Sequence, residues 1–174
     1  MSDTPPSALH PEPSEGMRRV FDLLAASGHA HEPVWLEDSA HTAAQAAEAL
    51  GVELGQIAKS IVFKRLSDEA SVLVVASGDM RVDERKVAAL VGALGRADPA
   101  FVKTRTGFTI GGVAPIGHVS KPVTLIDREL FRFETVWAAA GHPRSVFALS
   151  PTELESLTGG PVCDIAVQPA GRVG

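Results

Sequence analysis

The chain has 174 residues, a length that suits one domain with a core of its own. Its net charge of −5 argues against broad binding to DNA or any other nucleic-acid backbone, which rests on many Lys and Arg contacts. No apolar run is long enough to span a bilayer, and the single cysteine, Cys163, rules out an internal disulfide.

Residues 1–15 hold Pro5, Pro6, Pro11 and Pro13 with few large apolar groups, and a flexible tail is expected there, ahead of a single domain over 16–174. Met1–Pro6 has neither the basic start nor the apolar stretch of a secretory signal, and the lone thiol suits a reducing compartment, so a cytoplasmic location is expected. Met17, Val20, Phe21 and Leu24 recur at helical spacing, and Gly28 closes that helix. The stretch from His31 to Glu37 reads as extended. Thr42 with Gln45 resembles a capping box, and Ala43, Ala46, Ala47 and Leu50 form the stripe of a short helix ended by Gly51. Residues 56–65 and 71–77 read as a hairpin, with Ser67-Asp68-Glu69 at the turn. Asp83 is placed to cap a helix carrying Val87, Leu90 and Val91, and Asp98-Pro99 opens another that ends near Gly107. Residues 122–127 and 134–140 read as strands, and 146–149 pairs with the latter across Gly141-His142-Pro143-Arg144. Ser150-Pro151-Thr152-Glu153 starts a last helix, Gly159-Gly160 stops it, and a final strand is expected over 162–167. Strands and helices mix without regular βαβ alternation, which favours an α+β fold on a mixed sheet.

Three features bear on chemistry. The run from Gly111 to His118 packs three glycines and a proline into eight residues. Such a loop can expose main-chain N–H groups where an oxyanion forms, or it can be an ordinary connection. Lys59 falls in the middle of a strand face with Ile57, Ile61 and Phe63. An amine there needs a partner or a site, unless its stem carries it out to water. His118 and His142 sit on loops of the kind that carry sites, and either can instead cap a turn. The histidines show no metal-ligand spacing, and there is no Gly-x-Ser-x-Gly elbow, P-loop or dinucleotide fingerprint. Cys163, in Pro161-Val162-Cys163-Asp164, reads as a small buried hydrophobe.

Several segments together resemble one family. Ala58-Lys59-Ser60-Ile61-Val62-Phe63 is similar to the lysine strand of the YbaK/EbsC aminoacyl-tRNA editing domains, relatives of the editing insertion of bacterial prolyl-tRNA synthetase. Thr106-Gly107-Phe108 and Gly111-Gly112-Val113-Ala114-Pro115-Ile116-Gly117 resemble its Thr-Gly and glycine-proline segments, and Ala140–Phe147 its late hairpin. The resemblance runs from about Met17 to Val167.

It implies a mixed, partly barrel-like sheet with flanking helices. It also implies a free-standing, cofactor-independent enzyme that hydrolyses the ester of a mischarged tRNA in trans. Binding alone rejects a smaller or isosteric amino acid poorly, so a second site hydrolyses the product. By the resemblance, Lys59 and the N–H groups of the Gly112–Gly117 loop are catalytic. Ser60, Phe63, Thr106, Gly107, Phe108, Gly111, Val113, Ala114, Pro115, His118, Gly141, His142 and Val146 bind substrate. The 2′-hydroxyl of the terminal ribose takes the place of a protein base. Some branches carry an acidic residue after the late turn, whereas Ser145-Val146-Phe147-Ala148 is neutral, which points to a small amino acid such as alanine, serine, threonine or cysteine. The implied partner is the tRNA acceptor end, with a synthetase or elongation factor as a docking partner. The competing readings are a non-catalytic RNA- or ligand-binding module on the same fold and a hydrolase of small aminoacyl esters.

Overall fold

The computed structural model describes residues 12–29, 32–37 and 41–167. Most of the expected tail, His10 and His31 lie outside the described residues. The first helix, α1 (Glu15–Ala26), starts because the Ser14 side chain accepts the N–H of Met17, so Glu15 belongs to the helix rather than the tail. Its buried stripe is Met17, Val20 and Leu24.

The other helices are α2 (Ala43–Leu50), α3 (Glu84–Val91), α4 (Pro99–Thr106) and α5 (Pro151–Thr158). Each begins at the expected cap: Thr42, Asp83, Asp98 and Ser150. A side-chain oxygen at this position accepts an N–H that the helix leaves unpaired. The capping boxes of α2 and α5 are complete, with Gln45 and Glu153 reaching back.

Eight strands among the described residues form one mixed sheet. They are β1 (Val34–Trp35), β2 (Ile57–Arg65), β3 (Ser71–Ser77), β4 (Leu94–Arg96), β5 (Val123–Asp127), β6 (Val136–His142), β7 (Ser145–Leu149) and β8 (Val162–Cys163). Their order is β1-β7-β6-β2-β3-β5-β8, and β4 also pairs with β2. Every residue of β3 is buried, as a continuous apolar run in a covered central strand should be.

β2 sets the layout. Antiparallel β3 holds one of its edges from Ala58 to Lys64. On the other edge, β6 pairs in parallel at Ile57 and Ala58, and β4 pairs antiparallel from Phe63 to Arg65. Residues Lys59–Val62 are left with no strand partner on that edge among the described residues.

Alternation then divides the side chains of β2. Ala58 and Val62 join the main core with Leu73, Ile126, Phe147, Leu149 and the buried faces of α1, α4 and α5. Ile57 turns to α2 and Val146, and Ile61 and Phe63 turn to Val87 of α3. Lys64 lies against the Phe101 ring, 5.5 Å from its centroid.

Several local features differ from the sequence expectations. The late hairpin turns on Pro143-Arg144 alone, because β6 runs on through a bulge to His142, which pairs with Ser145. β4 was not expected, since Leu94-Gly95-Arg96 has no apolar periodicity and is a strand only because β2 offers it an edge. A 3-10 turn over Arg128–Arg132, capped by Asp127, follows β5. β8 ends at Cys163, and only an isolated bridge from Ala166 to Val82 extends it. Cys163 itself is partly buried rather than fully so.

Phe147 is fully buried at the centre of the main cluster. Phe147→Ala is expected to cost about 3–5 kcal/mol of unfolding free energy, from lost transfer and the cavity left behind, read from denaturant melts.

Candidate functional site

The gap in β2 opens into a cavity of about 180 Å³. β2 supplies Ile57, Ala58, Lys59 and Ser60, the glycine-rich loop Gly111 and Val113, and the late hairpin Trp137, Ala139, Pro143 and Val146. The start of α2 closes it with His41, Thr42, Ala43 and Ala46. No carboxylate lines it.

The Lys59 amine donates to the carbonyl of Met80 at 3.0 Å. Met80 sits in the turn after β3, whose Asp79 is ion-paired to Arg132 at 2.7 Å. This guanidinium also donates to the Ser77 hydroxyl, and it holds the Asp79 carboxyl below its usual range. The lysine is therefore tethered at the cavity by a braced carbonyl and keeps two of its three donors for other partners.

The glycine-rich loop is shaped by a turn in which the N–H of Gly112 donates to Thr109 O at 3.0 Å. Gly111 stands at the third position with φ +96°, which such a turn requires. Gly112 has a different need. A Cβ there would lie 2.9 Å from Cα of His142 and 3.0 Å from Cδ of Pro143, so only glycine lets the loop lie against the hairpin. The Gly112 N–H is spent on this turn, whereas those of Gly111 and Val113 have no hydrogen-bond acceptor among the described residues.

Behind the cavity the loop is held from three sides. Arg19 of α1 donates to Gly117 O at 2.7 Å and to Thr106 O at 3.3 Å, with its guanidinium 5.2 Å from the Phe108 ring centroid. Thr106 is fully buried, donates to Val102 O and accepts from the Phe108 N–H. His118 Nε2 lies 2.6 Å from Ala114 O, which fixes the proton on Nε2, and its ring meets Phe108 edge-on at 5.4 Å.

The hairpin side carries His142. Its Nδ1 accepts the Arg144 N–H at 3.1 Å, so the neutral ring bears its proton on Nε2 and presents a donor there. The Trp35 ring lies against it at 4.8 Å, and the Arg144 guanidinium lies 5.0 Å over the other ring. Burial, with a contribution from the charge of Arg144, lowers the His142 pKa. Burial also lowers that of His118.

Of the residues expected at a site, the cavity brings together Lys59, Ser60, Gly111, Val113 and Val146, while Gly112 packs on the backbone of His142. Pro115, Gly117 and His118 line a separate cavity with Leu23 and Leu157. Gly107, Gly141 and His142 line another beside α1. Phe63 packs toward α3, and Phe108 and Ala114 are core. Sequence reasoning passed over Thr42, Ala46, Trp137 and Pro143 as lining, and Arg19 as the brace of the loop. A helix cap, small helical residues, a strand tryptophan and a surface-helix arginine carry no local signal of a site.

Burial lowers both histidine pKa values in the fold, while in the unfolded chain a histidine titrates near 6.5. Protons then bind the unfolded state more readily, so stability is full above that pH and is lost as pH falls through it. Urea midpoints are expected to drop between about pH 7.5 and about pH 5.5. His118→Gln, whose amide can still donate to Ala114 O, is expected to flatten that slope.

Residues 37–157 match the family model described as the aminoacyl-tRNA editing domain. The chain is 40% identical over 123 residues to the uncharacterised protein YwhH of Bacillus subtilis, covering 70% of this chain and 78% of that one. It is 29% identical over 142 residues to EbsC of Enterococcus faecalis, named as a candidate Cys-tRNA(Pro)/Cys-tRNA(Cys) deacylase, covering 79% and 84%. Among solved structures it is similar to a candidate trans-editing enzyme for prolyl-tRNA synthetase, with a TM-score of 0.83 and 40% identity over 90% of this chain and all of that one. On this match of sequence and fold, the chain belongs to the aminoacyl-tRNA editing domain family.

Proposed function

We propose that the chain is an aminoacyl-tRNA deacylase acting in trans, and that it removes a small amino acid from the 3′ end of a mischarged tRNA. The observation that carries the site is the single cavity joining the tethered Lys59 amine to the Gly111–Val113 turn. One wall gives a fixed cation and the other gives unpaired main-chain N–H groups, and no carboxylate intervenes. Such a place favours negative charge that develops on a carbonyl oxygen.

In this reading the ester carbonyl points at the N–H groups of Gly111 and Val113. Water adds to the carbonyl carbon, and the tetrahedral oxyanion is stabilised by these donors and by the Lys59 ammonium. The intermediate collapses as the carbon–oxygen bond to the ribose breaks, and the departing oxygen takes a proton. No carboxylate lines the cavity, and by the family resemblance the vicinal ribose hydroxyl handles the proton of the attacking water. His142 lines the neighbouring cavity beside α1 and its Nδ1 lone pair is already engaged, so it is no base for this reaction.

Size sets the substrate class. A dry cavity of about 150 Å³ takes a group the size of benzene, and this one is about 180 Å³, walled by Ala46, Ala139, Val146 and Trp137. A short side chain fits, and the ammonium of Lys59 disfavours a cationic one. For the tRNA body, basic groups stand at Lys64 and Arg105, which flank Phe101. With a net charge of −5, affinity for RNA is modest, and docking to a synthetase or elongation factor would add to it.

A panel of mischarged tRNAs tests this reading. Wild-type protein is expected to deacylate one or two carrying small amino acids, and Lys59→Ala to lower that rate by about 10²–10³-fold with its thermal melt unchanged. Hydrolysis of free aminoacyl esters at the rate of charged tRNA would favour a small-ester hydrolase. Bound tRNA that is never deacylated would leave a binding module.

A further inference from the structure

The Lys59 amine and the start of its strand are held from one place. The turn after β3 runs Ser77-Gly78-Asp79-Met80 and is closed by the Met80 N–H, which donates to Ser77 O at 2.9 Å. Its last carbonyl accepts the Lys59 amine. Gly78 lies so close to the 3-10 turn Leu54–Gln56 that a Cβ would collide with Leu54 O, and that 3-10 turn leads straight into β2. The fully buried Ser77 hydroxyl donates to Gly55 O at 2.5 Å, just ahead of β2. One guanidinium joins these groups. Arg132 donates through one terminal nitrogen to Asp79 Oδ2 at 3.1 Å, and through the other to Asp79 Oδ1 at 2.7 Å and to the Ser77 hydroxyl at 2.8 Å. The 3-10 turn that carries Arg132 is fixed at its start by Asp127, a buried side chain that accepts the N–H groups of both Glu129 and Ser77.

We propose that Arg132 is a positioning residue for the reaction, acting on Lys59 through Asp79 and the Ser77–Met80 turn, an assignment that rests on the deacylase reading. Neither Arg132 nor Asp79 lines the Lys59 cavity, so neither meets substrate there. A lysine ends a flexible four-carbon stem, and its ammonium serves a developing oxyanion only when it is in place beforehand. The Met80 carbonyl can hold the amine only if its own peptide plane is fixed. A guanidinium fork on a carboxylate fixes direction as well as distance. The same guanidinium reaches Ser77, whose hydroxyl holds the backbone that leads into β2, so the two ends of the lysine are set against one group. The side chains of Arg132 and Asp79 are 36% and 34% exposed, and a pair so open to water adds little to folding stability. Its contribution is orientation. A lysine at position 132 would offer Asp79 a point charge without the planar fork that spans to Ser77.

The test joins kinetics to a measurement of lysine order on the full chain. In single-turnover deacylation of a mischarged tRNA, Arg132→Met is expected to lower the saturated rate by about 10–10²-fold, with the protein concentration at half-maximal rate unchanged within about twofold. In a Lys59→Ala background the same substitution is expected to change nothing further, because its effect runs through the lysine. Arg132→Lys is expected to recover only part of the rate, and Asp79→Asn to lose it as Arg132→Met does. Each variant is expected to melt within about 4 °C of wild type. In protein made with ¹³C-labelled lysine, the Lys59 ε-methylene is identified by its loss in Lys59→Ala. Its order parameter is expected near that of rigid backbone, about 0.85, in wild type, and below about 0.6 in Arg132→Met and Asp79→Asn. An equal rate loss with and without Lys59 would mark a general effect on the fold and overturn the assignment. An unchanged rate in both variants, or a Lys59 ε-methylene of the same order in all three proteins, would overturn it as well. Order at Lys59 that depends on Arg132, in a wild type that deacylates no mischarged tRNA, would uphold the positioning and sink the deacylase reading alone.

Discussion

The division of one edge of β2 between two strands is the constraint from which the site follows. β6 takes the first residues of that edge, β4 takes the last, and the stretch between them has no strand partner. A full-length partner would satisfy the backbone and bury Lys59 under a continuous sheet. The gap instead leaves the lysine facing a cavity and lets the glycine-rich loop approach the strand. The cost of an unpaired stretch is accepted where other interactions fix the surroundings, and β3 pins the opposite edge without interruption.

The loop opposite Lys59 does not depend on its own stiffness. Arg19 ties it to α1, Thr106 closes its start, and His118 ties its end back to Ala114. Donors held in this way need not reorganise as charge develops, which is what makes main-chain N–H groups effective against an oxyanion. The brace from α1 lies outside the stretch matched by the family model. The helix therefore serves the loop as well as the core, since Val20 and Leu24 pack inward while Arg19 reaches across to Gly117.

Electrostatics agree with a small local site on an acidic protein. The acidic surface repels a nucleic-acid backbone at large, while the cavity joins a cation to neutral donors. The Nδ1 of His142 is occupied and its ring lies tilted against Trp35, so in the fold this histidine offers a donor from Nε2. Among the described residues, no helix is long and apolar enough to cross a membrane, and no group of His, Cys, Asp and Glu could hold a metal ion.

The local signals in the sequence were strong wherever neighbours along the chain decide the outcome. Caps at Thr42, Asp98 and Ser150 act within three residues, so the helix starts were legible, as were the apolar runs of β2 and β3. Lys59 was legible too, because alternation alone shows an amine on an apolar face. Tertiary structure decided the rest. β4 exists because a distant edge recruits it, and the two-residue turn of the late hairpin follows from a bulge in β6. Thr106 and Ala114 share motifs with site residues yet are buried in the core, while Trp137, Thr42 and Arg19 reach the site or its loop from segments with no site motif. Sequence by itself determined most of the elements, the α+β class and the cationic strand. Only the fold decided which of these residues share a cavity, because that depends on contacts between segments up to about a hundred residues apart, such as Arg19 with Gly117.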